Sequence, residues 1–498
     1  MERSSRNRAG LGGRIAGRPL LRLTLVALAA TTGLAATTGV ILATSLWARA
    51  RLAAAGPTSS TAASPRRPAN EGGLVVVGHG FTHASRPPTS SECKRVVGLA
   101  CYWPQQLQRA YELRSLYAKG FTGRGRTIVI VDPFGSPTIR HDLRVFDHAL
   151  GLPAPPSFRI LQPAGRVPPY NPDNPEMTAK AGETTEDVEM AHSLAPEANI
   201  LLVETPAPET VAGGGFPKMM QAENYVIKHK LGDVISQSFS LPEENLGLPF
   251  VTSLRYAYRN ARRHHVTVLA ASNDQGVTGP TRTGAFYTHR IVQWPASDPL
   301  VTGVGGTKLH LDAAGRRASP DTAWNDSHSL AVYAYEKLDP WASNGGASML
   351  FGRPAYQDPV RSIVGDHRGV PDVAMSASLS GGVLVFASFR VDSLRGRAGW
   401  LITGGTSGAT PEFAGIVAIA DQYAHRRLGL LNPALYRLER AHAPGIVDVA
   451  KGNNTVTFPI SPTKTFTLKG YHAKRGYDLV TGVGTVNAGR LVPELARR

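Results

Sequence analysis

The sequence predicts an α/β protein built on a doubly wound, mostly parallel sheet with helices on both faces. Three observations lead there. Short apolar runs recur, each ending in a turn or a polar residue: "RTIVIVDPFG" (126–135), "NILLVE" (199–204), "DVISQSFS" (233–240), "VTVLAAS" (266–272) and "IVQWPAS" (291–297). Segments of helical periodicity lie between them, at 184–194 and in "FPKMMQAENYVIKHK" (216–230). The runs are apolar throughout instead of alternating, as strands covered on both faces are. Strands and helices that alternate in this way close into a parallel sheet.

Taken in chain order, the N-terminus comes first. Residues 1–51 hold eight Arg and one Glu, and an uncharged run of 26 residues, Leu23–Ala48, follows Arg22. This is the pattern of an export signal, either cleaved or kept as an anchor, since about 20 apolar residues span a bilayer. "ARA" at 48–50 has a small-x-small form that favours removal. Arginines before the run outnumber those just after it, so the chain beyond faces outward. The expected location is extracellular, secreted or anchored to the outer face of the membrane. Residues 52–73 are rich in Ala, Ser, Thr and Pro and form a linker. The expected organisation is a signal or anchor at 1–51, a linker at 52–101 and a globular domain at 102–498.

Cys93 and Cys101 are the only cysteines. Their spacing is not C-x-x-C, and they are too few for a zinc site. They form either one short-loop disulfide or two free thiols, and an outward-facing chain favours the disulfide. The net charge is +17, of which the first 51 residues supply +7. The remainder has no block of five like charges and no aromatics interleaved in a basic cluster, so no nucleic-acid partner is expected.

Loops at the carboxyl ends of parallel strands carry the chemistry of such folds. Asp132, Ser238 and Asp274 sit there. In "TGGTSGATPEFAG" (403–415), Ser407 stands among small residues before a helical pattern of Phe413, Ile416, Val417 and Ile419. Pro411 suits the first turn of that helix. A serine at a helix start is either a nucleophile or a plain N-cap. In "GETTEDVEMAHSLAP" (182–196), Glu183 and Asp187 are four apart and share a helix face. A lone acidic turn is usually an answer to the helix dipole. On an alanine-rich helix packed against a sheet, however, inward carboxylates need a purpose.

A serine nucleophile needs a base, in most hydrolases a histidine. "GHGFTHAS" (78–85) imitates the histidine stretch of subtilisin-type proteases, yet His79 and His83 precede Asp132, against the order Asp, His, Ser. His192 lies off the Glu183 side of its helix and reads as structural. A carboxylate base remains. Glutamate is a weak base at neutral pH and a sensible one in acid. A second carboxyl beside it can raise its pKa, and a third, kept protonated, can donate to an oxyanion.

With those residues in view, the chain resembles the sedolisin family of serine-carboxyl peptidases. "GTSGATP" (405–411) resembles the nucleophile motif G-T-S-x-x-x-P, "ETTEDVEMAHSLAPEA" (183–198) the E-x-x-x-D helix, and "AASNDQG" (270–276) the oxyanion loop A-S-G-D-x-G. "TAWND" (322–326), "GGASMLFGRPAYQ" (345–357) and "RGVPDVA" (368–374) fit the family's linking segments in the same order. The resemblance spans about residues 102–494. It implies a subtilisin-like fold and an exported endopeptidase, a monomer acting on proteins or peptides in acid. It implies Ser407 as nucleophile, Glu183 as general base and then acid, Asp187 as its support, Asp274 as protonated oxyanion donor, and Asp132 at a supporting strand-end position. "GIVDVAKGNN" (445–454) and "KRGYDLVTGVG" (474–484) resemble the two halves of the family's calcium site, which assigns Ca2+ to Asp448 and Asp478 with the carbonyls of Val449, Lys474 and Gly476. Two other readings compete: a catalytically silent binding protein on the same fold, and a subtilisin-type protease with a histidine base. Departures from the family pattern are Asn273 and Lys474 in place of Gly, Phe239 in place of Trp, an insertion at 327–343, and a linker where the family has a folded prodomain.

Overall fold

The computed structural model describes residues 81–82, 86–327, 329, 340–391, 396–461 and 463–497. The signal or anchor segment, His79, His83 and most of the 327–343 insertion lie outside these residues. Among the described residues no helix is long and apolar enough to cross a membrane. The transmembrane expectation therefore finds no helix here that carries it.

The central sheet has eight strands: β1 (Thr127–Pro133), β2 (Phe158–Leu161), β3 (Asn199–Thr205), β4 (Val234–Gln237), β5 (Thr267–Ala271), β6 (Thr302–Lys308), β7 (Thr322–Ala323) and β8 (Val373–Ser376). Their order is β7-β6-β5-β4-β1-β3-β2, with β8 also paired to β6. All pairs are parallel except β6 with β7. In β1 and β3, Asp132 is opposite Glu204 at the carboxyl ends.

Side-chain alternation along the strands sorts the core into two layers. Ile128, Ile130, Ile200 and Leu202 point to one face and join α2 (Pro175–Leu194) and α5 (Thr406–Tyr423). Val129, Val131, Leu201 and Val203 point to the other and join α3 (Phe216–Lys228) and α4 (Tyr256–Arg263). Both layers are apolar, which is why the strands read as unbroken runs. α1 (Ile139–Leu150) lies on the α2 side.

Three expectations change. "IVQWPAS" is not a sheet strand: only Gln293–Trp294 is extended, paired antiparallel with Leu241–Pro242, and Pro295 has no N–H to continue a ladder. Its place is taken by β6, "TGVGGTK", whose glycines hide the strand signal. At Gly306 a Cβ would stand 2.6 Å from the Trp324 ring, so the neighbour across the strand dictates the glycine.

The linker also ends before residue 101. Ser90–Val97 is a helix with a Thr89/Glu92 capping box, and Cys93 is disulfide-bonded to Cys101. Cys101–Tyr102 then pairs in parallel with the start of β9 (Gly382–Ala387), itself antiparallel to β10 (Gly399–Thr403). Finally, α5 begins at Thr406, so Pro411 sits inside the helix and Ser407 in its first turn.

Candidate active site

α2 carries the carboxylates. Asn174 caps it, its Oδ1 accepting from the N–H groups of Glu176 and Met177 at 3.0 and 3.2 Å, and Pro175 takes the first helical position. From Ala179 to Leu194 every residue is buried, including Lys180, Glu183, Glu186, Asp187, Glu189 and His192. The helix is wedged between α5, α1, β1 and β9. It has no solvent face over this stretch, which periodicity alone does not reveal.

α5 carries Ser407, and β10 leads into it. Ser407 is the half-exposed residue of a first turn whose neighbours are buried. Its Oγ donates to Glu183 Oε1 at 2.5 Å. Pro411 lacks the N–H that would bond the Ser407 carbonyl within the helix. The Ser238 hydroxyl approaches that carbonyl at 3.4 Å instead, tying the loop after β4 to the nucleophile's turn.

Asp274 approaches from the loop after β5. The backbone N–H and the hydroxyl of Thr406 both donate to its Oδ1 at 2.7 Å. Thr406 Oγ1 accepts in turn from the N–H of Asn273 at 3.0 Å. Gly405 makes this approach possible, because a Cβ there would stand 2.6 Å from Asp274 Oδ2, and its φ of +114° suits no other residue. Asn273 holds φ +95° where the family pattern has Gly, and its side chain stabilises the turn by accepting from the N–H of Gln275 at 3.1 Å.

The electrostatics of the site come from burial. Asp274 is pushed up to about 6, offset in part by the two Thr406 donors. Burial also raises Glu183, while the Lys180 ammonium and the Ser407 hydroxyl pull it down. Asp187 and Asp132 are raised by burial and by the charge of their carboxylate neighbours. Asp132 and Asp187 thus titrate under the influence of Glu183 and of each other.

Ser407 thus meets Glu183 directly, Asp187 and Asp132 lie within electrostatic reach of Glu183, and Asp274 stands on the adjoining turn. His192 is elsewhere. It is fully buried, with Nε2 2.9 Å from the Pro153 carbonyl and 3.1 Å from Asp147 Oδ1 of α1. Sequence reasoning did not single out Lys180, Glu209, Glu186 or Thr406. Lys180 stands 3.5 Å from Glu183 Oε2 and 2.6 Å from Glu209 Oε1. The Thr403 hydroxyl donates to Glu186 Oε1 at 2.8 Å. The spacing of Lys180 three residues before Glu183 was the one available signal. Glu209 had none, because the 206–215 connection meets α2 only through folding.

The expected calcium residues lie at the C-terminal end. Ile446–Val447 pairs antiparallel with Thr485–Val486, which brings the Asp448 segment to the 478–484 turn. Asp478 is buried, and its carboxylate accepts from the N–H groups of Lys474, Val480 and Thr481 at 2.8–2.9 Å. Burial pushes it up to about 6. Among the described residues no group of three or more His, Cys, Asp or Glu converges as a metal site. Two carboxylates plus backbone carbonyls remain a donor set of hard oxygens, and the buried Asp478 fits it chemically.

Comparison with known proteins finds relatives in sequence and in fold. No family model matches the chain. It is 30% identical over 403 residues to kumamolisin of a Bacillus species, covering 79% of this chain and 63% of that protein. It is 27% identical over 285 residues to sedolisin of a Pseudomonas species, covering 56% of this chain and 43% of that one. It is 25% identical over 368 residues to tripeptidyl-peptidase 1 of Dictyostelium discoideum, covering 70% and 51%. The chain thus spans less than two thirds of the length of each of these curated relatives. The solved structure of Pseudomonas sedolisin, a serine-carboxyl proteinase complexed with two molecules of pseudo-iodotyrostatin, superposes with a TM-score of 0.66 at 24% identity, over 80% of this chain and 99% of that one. In sequence the chain is similar to these sedolisin-type peptidases, and its fold is the subtilisin-like α/β architecture of the solved sedolisin.

Proposed function

We propose that this protein is a serine-carboxyl peptidase that hydrolyses peptide bonds of protein or peptide substrates in acid. One observation carries the reading: the Ser407 hydroxyl donates at 2.5 Å to a buried glutamate, where most serine hydrolases place a histidine. Ser407 Oγ attacks the scissile carbonyl as Glu183 takes its proton. Glu183 then returns that proton to the leaving amine, and water repeats the cycle on the acyl-enzyme. Asp187 and Asp132 crowd Glu183 with carboxyl groups, so the proton it receives is held in a site already poised to share one. Asp274, protonated on the oxygen that Thr406 leaves free, donates to the tetrahedral oxyanion.

The two ends of this mechanism titrate against each other. Glu183 must be ionised to accept the serine proton, and burial raises it to about 7. Asp274 must be neutral to donate, and burial raises it to about 6. The competent state, Glu183 ionised with Asp274 neutral, is therefore a minority form that is most populated between the two values, and activity falls away on either side. The experiment is digestion of denatured haemoglobin from pH 3 to 8 with wild type and Ser407→Ala. Acid-range cleavage that Ser407→Ala abolishes supports the reading. Cleavage that survives the substitution, or none in the folded wild type, overturns it.

Asp448 and Asp478, with the carbonyls of Val449, Lys474 and Gly476, would hold a calcium ion. Bound there, it would neutralise two carboxylates and tie the Asp448 segment to the chain end, a contribution to stability that takes no part in the reaction. For the N-terminal residues we propose export, by a segment removed or kept as an anchor.

A further inference from the structure

The proposed reaction poses an electrostatic problem that its own residues do not solve. Glu183 has to be charged while Asp274 is neutral, yet both carboxyls are fully buried and burial pushes both up, Glu183 to about 7 and Asp274 to about 6, so the competent combination of states is the minority one. An acid–base pair works when its environments separate the two groups. Around Glu183 stand Lys180, Glu186 and Asp187 on its own helix, Asp132 at the end of β1, Glu209 on the 206–215 connection, Asp274 after β5 and the Ser407 hydroxyl on α5. Of the charged groups in this set, five further acids raise its burden and Lys180 is the cation. Around Asp274, the groups that favour its charged form are the two neutral Thr406 donors.

Lys180 is not a surface lysine resting nearby. Its side chain is 5% exposed, and its Nζ lies 2.6 Å from Glu209 Oε1 and 3.5 Å from Glu183 Oε2. Glu209 is itself 9% exposed. A buried ammonium needs such a partner to stay charged. The contact with Glu183 is to Oε2, while Ser407 holds Oε1. The cation therefore stands at the rear of the carboxylate whose front faces the nucleophile, and it leaves Oε1 to receive the proton. The result is a four-membered series, Glu209–Lys180–Glu183–Ser407, assembled from one loop and two helices.

Resting on the peptidase reading, we propose that Lys180, held by Glu209, is a positioning residue that aims Glu183 at Ser407 and favours its charged form, so that more molecules hold Glu183 ionised while Asp274 is protonated. Lys180 touches no reacting atom; it acts through Glu183. Its effect is to offset, at Glu183 and not at Asp274, part of what burial imposes on both.

The test is the pH profile of kcat/KM on an internally quenched peptide, from pH 3 to 8, with the full chain and its variants. In Lys180→Met the limb that Glu183 sets should move up by about one to three pH units, the span an adjacent opposite charge commands, and the limb that Asp274 sets should stay. Lys180→Arg keeps the charge and should restore the wild-type limb. A merely structural role lowers the whole profile and moves neither limb. A Lys180→Met profile that superposes on wild type after scaling overturns the proposal, as does a Lys180→Arg profile that matches Lys180→Met. Should Lys180→Met fail to fold, Lys180→Gln decides, because it drops the charge and keeps a polar side chain between the two carboxylates: an upward shift of the Glu183 limb supports the proposal and an unmoved limb overturns it. Ser407→Ala in the same series separates the two claims. If it is inactive while the limbs stay fixed, only the role of Lys180 fails; if it remains active, the peptidase reading fails.

Discussion

α2 and α3 each follow a strand of the main sheet and both cover it, yet they use charge in opposite ways. In α3, Phe216, Met219, Met220, Val226 and Ile227 face the core, while Lys218, Gln221 and Lys228 face solvent. This is the ordinary amphipathic arrangement. In α2 no such division exists. Lys180, Glu183, Glu186, Asp187, Glu189 and His192 are all buried. Buried ionisable groups cost stability unless they are neutralised or paired, so a fold that keeps six on one helix keeps them for another reason. α3 supplies an internal control, because it too has a buried carboxyl, Glu223, whose Oε1 accepts from Gln237 at 2.7 Å. Glu223 is raised by burial and faces a neutral amide. The difference between the helices is thus not burial of acid as such but what the acid faces.

The largest expected effect breaks this comparison if it fails. Glu183→Gln in α2 should lose about a hundred-fold or more of kcat with folding intact, while Glu223→Gln in α3 should leave kcat near wild type. Equal losses in the two variants would mean that buried carboxyls matter here only for folding. The next effect belongs to the turn that faces α2. Asp274→Ala should cost about a hundred-fold to a thousand-fold, as removal of an oxyanion donor does. Asp274→Asn keeps a donor, so it should retain more activity and lose the pH dependence that Asp274 sets near pH 6. Identical rates and limbs for the two substitutions would remove Asp274 from that role.

Stability should follow α2 as well. Burial raises Glu186, Asp187 and Glu189 well above the carboxylate range. The folded state therefore holds protons that the unfolded chain releases above about pH 4. Their favourable contribution is fully present below that value and is lost as pH rises toward their folded values. Thermal unfolding should accordingly show Tm highest in acid and falling through the neutral range. Glu189→Gln, which keeps the acceptor for the N–H of Phe386 now bonded at 2.9 Å, should flatten that decline. A Tm that climbs from pH 4 to 8 would contradict the assignment of these groups as protonated.

Two smaller effects sharpen the contrast between the site and the rest of the molecule. A chelator at pH 5 should lower Tm by a few degrees, and Asp448→Ala should abolish the response without changing the pH profile of hydrolysis. No shift in the wild type, together with no metal by elemental analysis, would remove calcium from this chain. Lys218→Ala, on the exposed face of α3, should change neither Tm nor rate measurably.

Sequence by itself determined the α/β class and the strands β1, β3, β4 and β5, because the strands of a sheet buried on both faces must be apolar end to end. It also supplied Ser407, Glu183, Asp187 and Asp274 as candidates, because their local settings carry information: a serine among glycines before a helix, two acids at helical spacing, an acid after a buried strand. It misread "IVQWPAS" as a sheet strand, missed β6, and placed Pro411 in the first turn of α5. In each case the deciding contact came from residues distant in the chain. Trp324 dictates the glycine of β6, and Ser238 reaches the Ser407 carbonyl that Pro411 leaves without its helical donor. Only the tertiary structure could reveal that α2 has no solvent face, since that depends on what surrounds it and not on its own period. Only the tertiary structure brought Glu209 to Lys180 across 29 residues and Lys180 to the rear of Glu183. The charge of a buried carboxyl is set by the groups packed around it in space, and local sequence specifies those that lie on its own helix, not those that folding delivers.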